Sequence, residues 1–290
     1  MSPTGRVVTR YGAELVIEDE SGQRRRCTTR RRLQDAVCGD RVEWSASDTG
    51  NDVVSAILPR RNLLERLDPR GLVRPVAANL DQVVVVTAMR PPPQWPLVDR
   101  YLVAIENLDA RALLVINKSD LEDKDQDLAR EAMYRELGYG VVHTSVKTGM
   151  GMEALREELK GRTNVLVGQS GVGKSSLIQA LLPEESLRIG EVSEATGEGR
   201  HTTTVAVLYH LTGGGELIDS PGVRDFTPPP LTPEALAQGF VDFRPYQGLC
   251  RFHNCIHDRE PGCAVKAAVK AGKIREERYQ GYLALMNKEQ

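Results

Sequence analysis

Residues 168–175, which read Gly-Gln-Ser-Gly-Val-Gly-Lys-Ser, decide the fold of this chain. They follow a short apolar run, Asn164–Val167, and precede a run with helical periodicity, Lys174–Leu182. A Gly-x4-Gly-Lys-Ser spacing between a strand and a helix is typical of a phosphate-binding loop, in which backbone N–H groups and the helix N-terminus surround a β-phosphate. The stretch therefore predicts a nucleotide site in a domain of alternating strands and helices.

A base-reading motif, Asn-Lys-Ser-Asp, occupies residues 117–120 after the predicted strand Ala112–Ile116. The Asp120 carboxylate can accept two hydrogen bonds from the N1–H and 2-amino groups of guanine. Adenine has no such pair of donors, so the motif favours GTP over ATP. We expect Lys118 to lie along the base and ribose and Asn117 to tie the two nucleotide loops together.

Two further segments complete the predicted site. Residues 144–147, Thr-Ser-Val-Lys, follow the next predicted strand and fit a loop that contacts guanine O6 through its backbone. Residues 219–222, Asp-Ser-Pro-Gly, end another strand, which places Asp219 near Mg²⁺ through water and Gly222 near the γ-phosphate. The next residue, Val223, stands where many GTPases carry a water-orienting glutamine, so we expect slow intrinsic hydrolysis that a partner or another group accelerates.

A Gly-rich polar loop, residues 197–204, has the composition of a mobile switch. Thr203 is our first candidate to complete the Mg²⁺ shell, and Thr202 is the second. His201 is the candidate for orienting the attacking water, with an exposed loop histidine as an equally weighted alternative.

The base-reading motif precedes the phosphate loop in this chain, which is a cyclic rotation of the usual GTPase order. The simplest explanation is a circularly permuted, doubly wound α/β domain over residues 80–228. Mg²⁺ is expected on Ser175 and Thr203. The candidate GTP-binding residues are Asn117, Lys118, Ser119, Asp120, Ser145, Lys147, Gly168, Gln169, Ser170, Gly171, Val172, Gly173, Lys174, Ser175, Ser176, Asp219 and Gly222.

Residues 1–66 predict a small β domain, because short β-prone pieces alternate with turn residues. A five-stranded barrel of the OB type is the leading interpretation, and an SH3-like barrel is the alternative. Residues 67–79 are interpreted as a linker.

An arginine-dense segment lies within this β domain, with six arginines among residues 24–32. We expect the segment on or beside a strand-to-strand connection. Its density favours contact with RNA phosphates over the alternative of a solvated face. The candidate RNA-binding residues are Arg24, Arg25, Arg26, Arg30, Arg31 and Arg32.

Residues 229–290 appear mainly helical in their sequence pattern and contain Cys250, Cys255, His257 and Cys263. Three thiolates and an imidazole at this spacing predict one closed, structural Zn²⁺ site without a catalytic role. The nearby His253 fits the spacing less well. A disulfide is the alternative, but it leaves one thiol over.

The overall composition is that of a soluble multidomain protein, with 290 residues, 40% hydrophobic residues and a net charge of −2. No apolar run approaches the roughly 18–20 residues of a membrane span, so no membrane partner is expected. The N-terminus lacks the apolar core of an export signal, which favours a cytoplasmic location.

Together these motifs resemble the circularly permuted, ribosome small-subunit-dependent GTPases, the RsgA family (also called YjeQ or EngC). The resemblance spans essentially the whole chain, although the arginine-dense segment exceeds the family pattern. It implies an OB-fold, a permuted GTPase domain and a zinc-binding helical domain. It also implies hydrolysis of GTP to GDP, stimulated by the small (30S) ribosomal subunit and its 16S rRNA during late maturation. We expect a monomer. A nucleotide-gated adaptor with negligible hydrolysis is the alternative, and an ATP-dependent kinase is disfavoured by Asp120.

Overall fold

The computed structural model describes residues 2–11, 14–29, 33, 35–47, 50–121, 128–182, 205–224 and 226–289. Several candidate residues lie outside these ranges, namely His201, Thr202, Thr203, Arg30, Arg31 and Arg32.

The N-terminal strands form a closed five-stranded barrel. The strands are β1 (Thr4–Tyr11), β2 (Glu14–Asp19), β3 (Arg24–Thr29), β4 (Arg41–Ser45) and β5 (Asp52–Ile57). Their order is β1-β2-β3-β5-β4, and β1 closes the barrel by pairing with β4 as well. Alternate residues such as Leu15, Ile17 and Cys27 fill the interior at no more than 1% exposure. The order is that of an OB-fold, so the predicted barrel is confirmed.

The start of the arginine-dense segment, Arg24–Thr29, is itself a strand and lies beside the connection from β2, in agreement with the expected position. Cys27 is fully buried in the barrel, whereas Arg24 and Arg26 are exposed. Buried and exposed side chains alternate in this way along a strand with one polar face. Three consecutive arginines do not show this alternation in the sequence.

A mixed sheet forms the centre of the next unit. Its strands are β8 (Gln82–Ala88), β9 (Arg111–Asn117), β10 (Gly140–His143), β11 (Thr163–Gly168), β12 (Ala206–His210) and β13 (Glu216–Asp219). They lie in the order β10-β9-β8-β11-β13-β12, with every pair parallel except β12 and β13. The carboxyl ends of β9, β10, β11 and β13 therefore meet at one edge of the sheet.

Helices cover both faces of this sheet. They are α1 (Trp95–Glu106), α2 (Leu128–Glu136), α3 (Met152–Leu159), α4 (Lys174–Leu181) and the short α5 (Pro221–Arg224). Val83 and Val85 of β8 join the core that contains α1 and α2, and Val84 and Val86 join the core that contains α3 and α4. None of these valines is more than 1% exposed, as expected for a parallel strand buried on both faces.

The predicted linker contains regular structure. Strands β6 (Leu63–Leu67) and β7 (Val73–Ala78) pair as an antiparallel two-stranded sheet. Ala78 N donates to Cys38 O of the barrel at 3.0 Å, and Leu67 N donates to Thr227 O at 2.9 Å. The hairpin therefore contacts both the barrel and the segment after Asp-Ser-Pro-Gly. Pro75 and Gly71, which are common in linkers, hid the strand from the sequence reading. The domain boundaries themselves stay predictions.

The C-terminal unit is helical. It contains α6 (Pro233–Gly239), a 3₁₀ helix (Val241–Tyr246), α7 (Ala264–Lys270) and α8 (Glu276–Glu289). The Cys/His cluster lies between the 3₁₀ helix and α7, as predicted. No helix within the described ranges is both long and apolar enough to cross a membrane.

Candidate nucleotide site and metal centre

The phosphate-binding loop connects β11 to α4 and needs glycine at two positions. Gly168 has φ +147°, and a Cβ there would lie 2.1 Å from Val86 O. Gly173 has φ +95°, and a Cβ there would lie 2.5 Å from Asn117 Nδ2. Gly173 precedes α4 and has no side chain to cap its first N–H groups, so these donors face the loop.

Lys174 folds back over this loop. Its Nζ donates to the carbonyl oxygens of Gly168, at 2.6 Å, and Gln169, at 2.9 Å. Ser175 and Ser176 follow it, exposed on the first turn of α4. A cationic head and two hydroxyl groups are therefore concentrated at the mouth of an anion-binding loop.

The Asn117 side chain joins the base-reading loop to the phosphate loop. Its Nδ2 donates to Val172 O at 2.9 Å, and its Oδ1 accepts from Thr144 Oγ1 at 3.1 Å. Lys118, in the left-handed region with φ +56°, donates through Nζ to Gly171 O at 2.7 Å. Because Asn117 is only 2% exposed, these bonds fix the two loops at a constant separation.

The loop at the end of β10 holds the carboxylate of Asp120. Ser145 Oγ donates to Asp120 Oδ1 at 2.7 Å, and Ser119 N donates to Thr144 O at 3.0 Å. Ser145 is fully buried, whereas Lys147 is exposed. The structure thus brings the residues of both predicted base-contacting loops together.

The Asp-Ser-Pro-Gly segment lies at the same edge. Asp219 is 4% exposed at the end of β13, and Gly222 lies in α5. A Cβ at Gly222 would lie 3.2 Å from Val76 of the hairpin. Val223 is 1% exposed and packs into the core, so its side chain contributes no polar group to the site.

The described arginines of the segment 24–32 differ in their surroundings. Arg25 donates through Nε to Asp19 at 2.6 Å and lies over the Trp44 ring at 4.6 Å. Hydrogen bonds from Ser21 and Arg25 hold the pKa of the Asp19 carboxyl well below its usual range. Arg24, whose Nε is 4.0 Å from Glu18 Oε2, and Arg26 are exposed on the outer face of β3.

The metal-ligand candidates form a compact cluster. The donor atoms of Cys250, Cys255, His257 and Cys263 all lie within 4.8 Å of one another. His257 Nδ1 is 3.4 to 3.6 Å from the three Sγ atoms, and the Cys250 and Cys263 Sγ atoms are 3.9 Å apart. A tetrahedron with metal–sulfur bonds of about 2.3 Å has edges of about 3.8 Å, so the cluster fits a four-coordinate zinc ion.

Neighbouring groups hold this cluster in place. Backbone N–H groups point at the sulfurs, with Ala264 N 3.3 Å from Cys250 Sγ and Lys266 N 3.4 Å from Cys263 Sγ. Tyr279 Oη of α8 donates to His257 O at 2.8 Å, and His257 takes φ +63°. The predicted ligands therefore meet at one point, while His253 is not among them.

Burial from water favours the uncharged forms of the side chains in this cluster. It raises the pKa of the Cys255 thiol to about 12 and also raises that of Cys263, while it lowers the pKa of His257. A bound divalent cation stabilises the thiolates and the neutral imidazole, which is the form in which these groups act as ligands.

The structure adds two residues that the sequence analysis does not single out. His143, at the end of β10, lies between Ser119 of the base-reading loop and Glu131 of α2. No motif marks them, because α2 and β10 reach the loop only through the folding of the sheet. The one available signal was the position of His143 directly before the loop 144–147.

Comparison with known proteins agrees with this geometry. The sequence model of the RsgA GTPase family matches residues 57–228. A small ribosomal subunit biogenesis GTPase RsgA of Pseudomonas aeruginosa is 46% identical over 282 residues, covering 96% of this chain and 83% of the relative. The protein of the same name from Marinobacter nauticus is 48% identical over 287 residues, covering 96% and 82%.

Two crystal structures resemble the whole chain. YjeQ from Thermotoga maritima has a TM-score of 0.78 at 36% identity and covers 100% of this chain and 99% of that chain. YloQ, described as a circularly permuted GTPase, has a TM-score of 0.75 at 30% identity and covers 100% and 95%. With motif order, strand order and site geometry in agreement, this chain belongs to the RsgA family of GTPases.

Proposed function

We propose that this GTPase binds the small ribosomal subunit and hydrolyses GTP there, assisting a late step of subunit maturation. The main support for the GTP site is the hydrogen bond from Asn117 Nδ2 to Val172 O, which connects the base-reading loop to the phosphate loop. The named role of its relatives in small-subunit biogenesis supports the partner.

In this proposal each loop has one task. The N–H groups of the phosphate loop and of the first turn of α4 bind the β-phosphate, and Lys174 moves from the loop carbonyls to the β- and γ-oxygens. Asp120, held by Ser145, accepts from the guanine N1–H and 2-amino groups. The N–H of Gly222 donates to the γ-phosphate. These donors lower the energy of the charge that develops during phosphoryl transfer.

The residues also fit a magnesium ion. Ser175 and Asp219 supply a hydroxyl and a carboxylate at the same edge of the sheet, and Mg²⁺ prefers oxygen ligands. Ser175 and Thr203 would hold the ion directly and Asp219 through water. An ion held by these residues would neutralise charge on the transferring phosphoryl group.

Slow hydrolysis without a partner follows from the position of Val223. Its side chain is buried in the core, so it cannot orient water. We propose that His201 performs this task when the small subunit is bound. A His201→Ala variant should bind GTP normally and lose most of the subunit-stimulated turnover. Unchanged stimulated turnover would exclude His201 from the mechanism.

We propose that the RNA contact is made through phosphates and shape. Arg24 and Arg26 present cations on an exposed barrel strand, and aromatic residues make up only 5% of the chain. Scarce stacking platforms favour contact with the rRNA backbone over the reading of bases. A cytoplasmic monomer is the state in which we expect this contact.

The Cys/His cluster is proposed to hold one structural zinc ion. Its four protein ligands complete a tetrahedron, which leaves no position for a substrate. The ion would order the loop between the 3₁₀ helix and α7.

A further inference from the structure

The buried Glu131 and the partly exposed His143 form a pair beside the guanine-reading loop. His143 is the last residue of β10 and pairs with Ile116 of β9. Its Nε2 is 2.8 Å from Glu131 Oε2, and its Nδ1 is 3.3 Å from Ser119 Oγ. The imidazole thus bridges α2 to the residue that precedes Asp120.

The protonation of one imidazole nitrogen follows from its partner. The Glu131 side chain is 3% exposed and accepts at 2.8 Å, so Nε2 carries a proton and donates to it. Arg135 of α2 lies on the same carboxylate, with its Nη1 3.6 Å from Glu131 Oε2. Because a buried carboxylate requires donors, Glu131 holds the ring orientation fixed.

The state of Nδ1 decides how Ser119 is bonded. The Ser119 hydroxyl has a single proton, and Ile116 O lies 2.8 Å from its oxygen. When Nδ1 is protonated it donates to Ser119 Oγ, and the hydroxyl donates to Ile116 O, so both contacts form together. When Nδ1 is unprotonated both contacts compete for the one hydroxyl proton, and one of them is lost.

Loss of the His143 contact to Ser119 would affect the residues that read the base. Ser119 N donates to Thr144 O at 3.0 Å, and the next residue, Asp120, accepts from Ser145 at 2.7 Å. A looser Ser119 therefore lets the Asp120 carboxylate move relative to the guanine donors, and small displacements of a positioned group reduce binding.

We propose that His143 is a positioning residue for guanine recognition, because it holds Ser119 and, through Ser119, the Asp120 carboxylate. The inference rests on the proposed GTP site and adds a residue to it. Since a hydrogen bond contributes modestly to affinity, the expected effect is about three- to tenfold.

The experiment compares wild type, His143→Ala and His143→Gln in subunit-stimulated GTP hydrolysis and in calorimetric GDP binding. In His143→Ala the KM for GTP rises about three- to tenfold while kcat changes less than about twofold. Glutamine lowers the KM towards the wild-type value, because its amide nitrogen can donate to Glu131 while its oxygen accepts from Ser119, as the ring does when Nδ1 is unprotonated. His210→Ala is the matched control, since His210 pairs with Glu18 at 3.0 Å on the barrel side.

The split between KM and kcat, with the rescue by glutamine, is a readout that a merely structural role would not move. GDP affinity should fall in His143→Ala in step with the rise in KM and recover in His143→Gln. An unchanged KM in His143→Ala, or a parallel fall in kcat that glutamine does not rescue, would each overturn the inference. Failure of the wild type to bind GDP would instead contradict the proposed GTP site.

Discussion

At the scale of single residues, Asp120 determines which base the site accepts. Its carboxylate is held by Ser145 at 2.7 Å and offers only acceptors to a ligand. Asp120→Asn replaces one acceptor with an amide donor, which faces the guanine donors unfavourably but suits the 2-carbonyl of xanthine. We expect GTP affinity to fall about 100-fold and xanthosine triphosphate to become the better ligand, measured by equilibrium binding.

Asp109→Asn is the control for this change. Asp109 is an exposed acidic residue before the start of β9, at the opposite edge of the sheet from Asn117, and its φ of +55° suits asparagine. The nucleotide preference of the Asp109→Asn variant should remain that of the wild type. Loss of GTP binding in both variants, or a preserved preference for GTP in Asp120→Asn, would contradict the role of Asp120.

The residues of this site differ in how far sequence reveals them. Asn117, Asp120 and Lys174 lie in fixed spacings whose chemistry is readable, and the structure brings them together. His143 and Glu131 are close only because β10 and α2 fold beside β9, so no local spacing predicts their contact. Valine has no polar group with which to orient water, and the side chain of Val223 is also buried in the core.

At the scale of elements, α8 is tied to the α/β unit by a buried ion pair. Arg278 is 1% exposed and contacts Asp99 of α1 at 2.5 Å and Asp242 of the 3₁₀ helix at 3.0 Å. Arg278→Met would leave two buried carboxylates without their cation. We expect the free energy of unfolding, measured by urea denaturation, to fall by about 3–5 kcal/mol.

Arg275→Met is the matched comparison. Arg275 also joins the C-terminal unit to the α/β unit, through Glu136 at 2.8 Å, but both side chains are exposed. An exposed pair contributes about 0–1 kcal/mol, so this variant should unfold nearly as the wild type does. Equal losses in the two variants would show that burial does not decide the strength of this junction.

A second prediction at this scale concerns the loop between the 3₁₀ helix and α7, which contains the Cys/His cluster. Wild-type protein should carry one zinc ion per chain by elemental analysis, and Cys255→Ser should lose it, whereas Cys27→Ala, altered in the barrel core, should retain it. Because burial raises the pKa of Cys255 to about 12 without metal, binding must displace thiol protons. Zinc affinity should therefore fall as the pH is lowered, measured by transfer to a chelating dye. A zinc content that is unchanged in Cys255→Ser would contradict the ligand assignment.

Elements also show where sequence patterns fail. The consecutive valines of β8 predict a strand that is buried on both faces of the sheet, and the structure shows one. The sequence pattern does not predict strand β3, because arginines stand on both sides of its inward-facing residues. It does not predict β7 either, because Pro75 is a residue type common in linkers. In both cases pairing with a neighbouring strand, which sequence does not display, overrides the local signal.

At the scale of the molecule, the rotated motif order leaves the GTP site intact and links it to both flanking units. Strand β12 pairs with β1, so within the described residues the barrel and the α/β sheet form one continuous eleven-stranded sheet. On the other side, Tyr101 Oη of α1 donates to Phe226 O after Asp-Ser-Pro-Gly at 3.0 Å, while Asn107, directly after that helix, donates to Ala235 O. The architecture could be predicted from motif order and composition, whereas these junctions could not.

We propose that a partner, the small ribosomal subunit, accelerates GTP hydrolysis by a chain that hydrolyses slowly alone. The most direct measurement is the steady-state rate of phosphate release from GTP with purified small subunits, with large subunits and without either. Because Val223 supplies no water-orienting group, we predict an increase of about tenfold or more that only small subunits produce. An equal rate in all three conditions, or the same increase with large subunits, would show that the small subunit is not the specific activator of this GTPase.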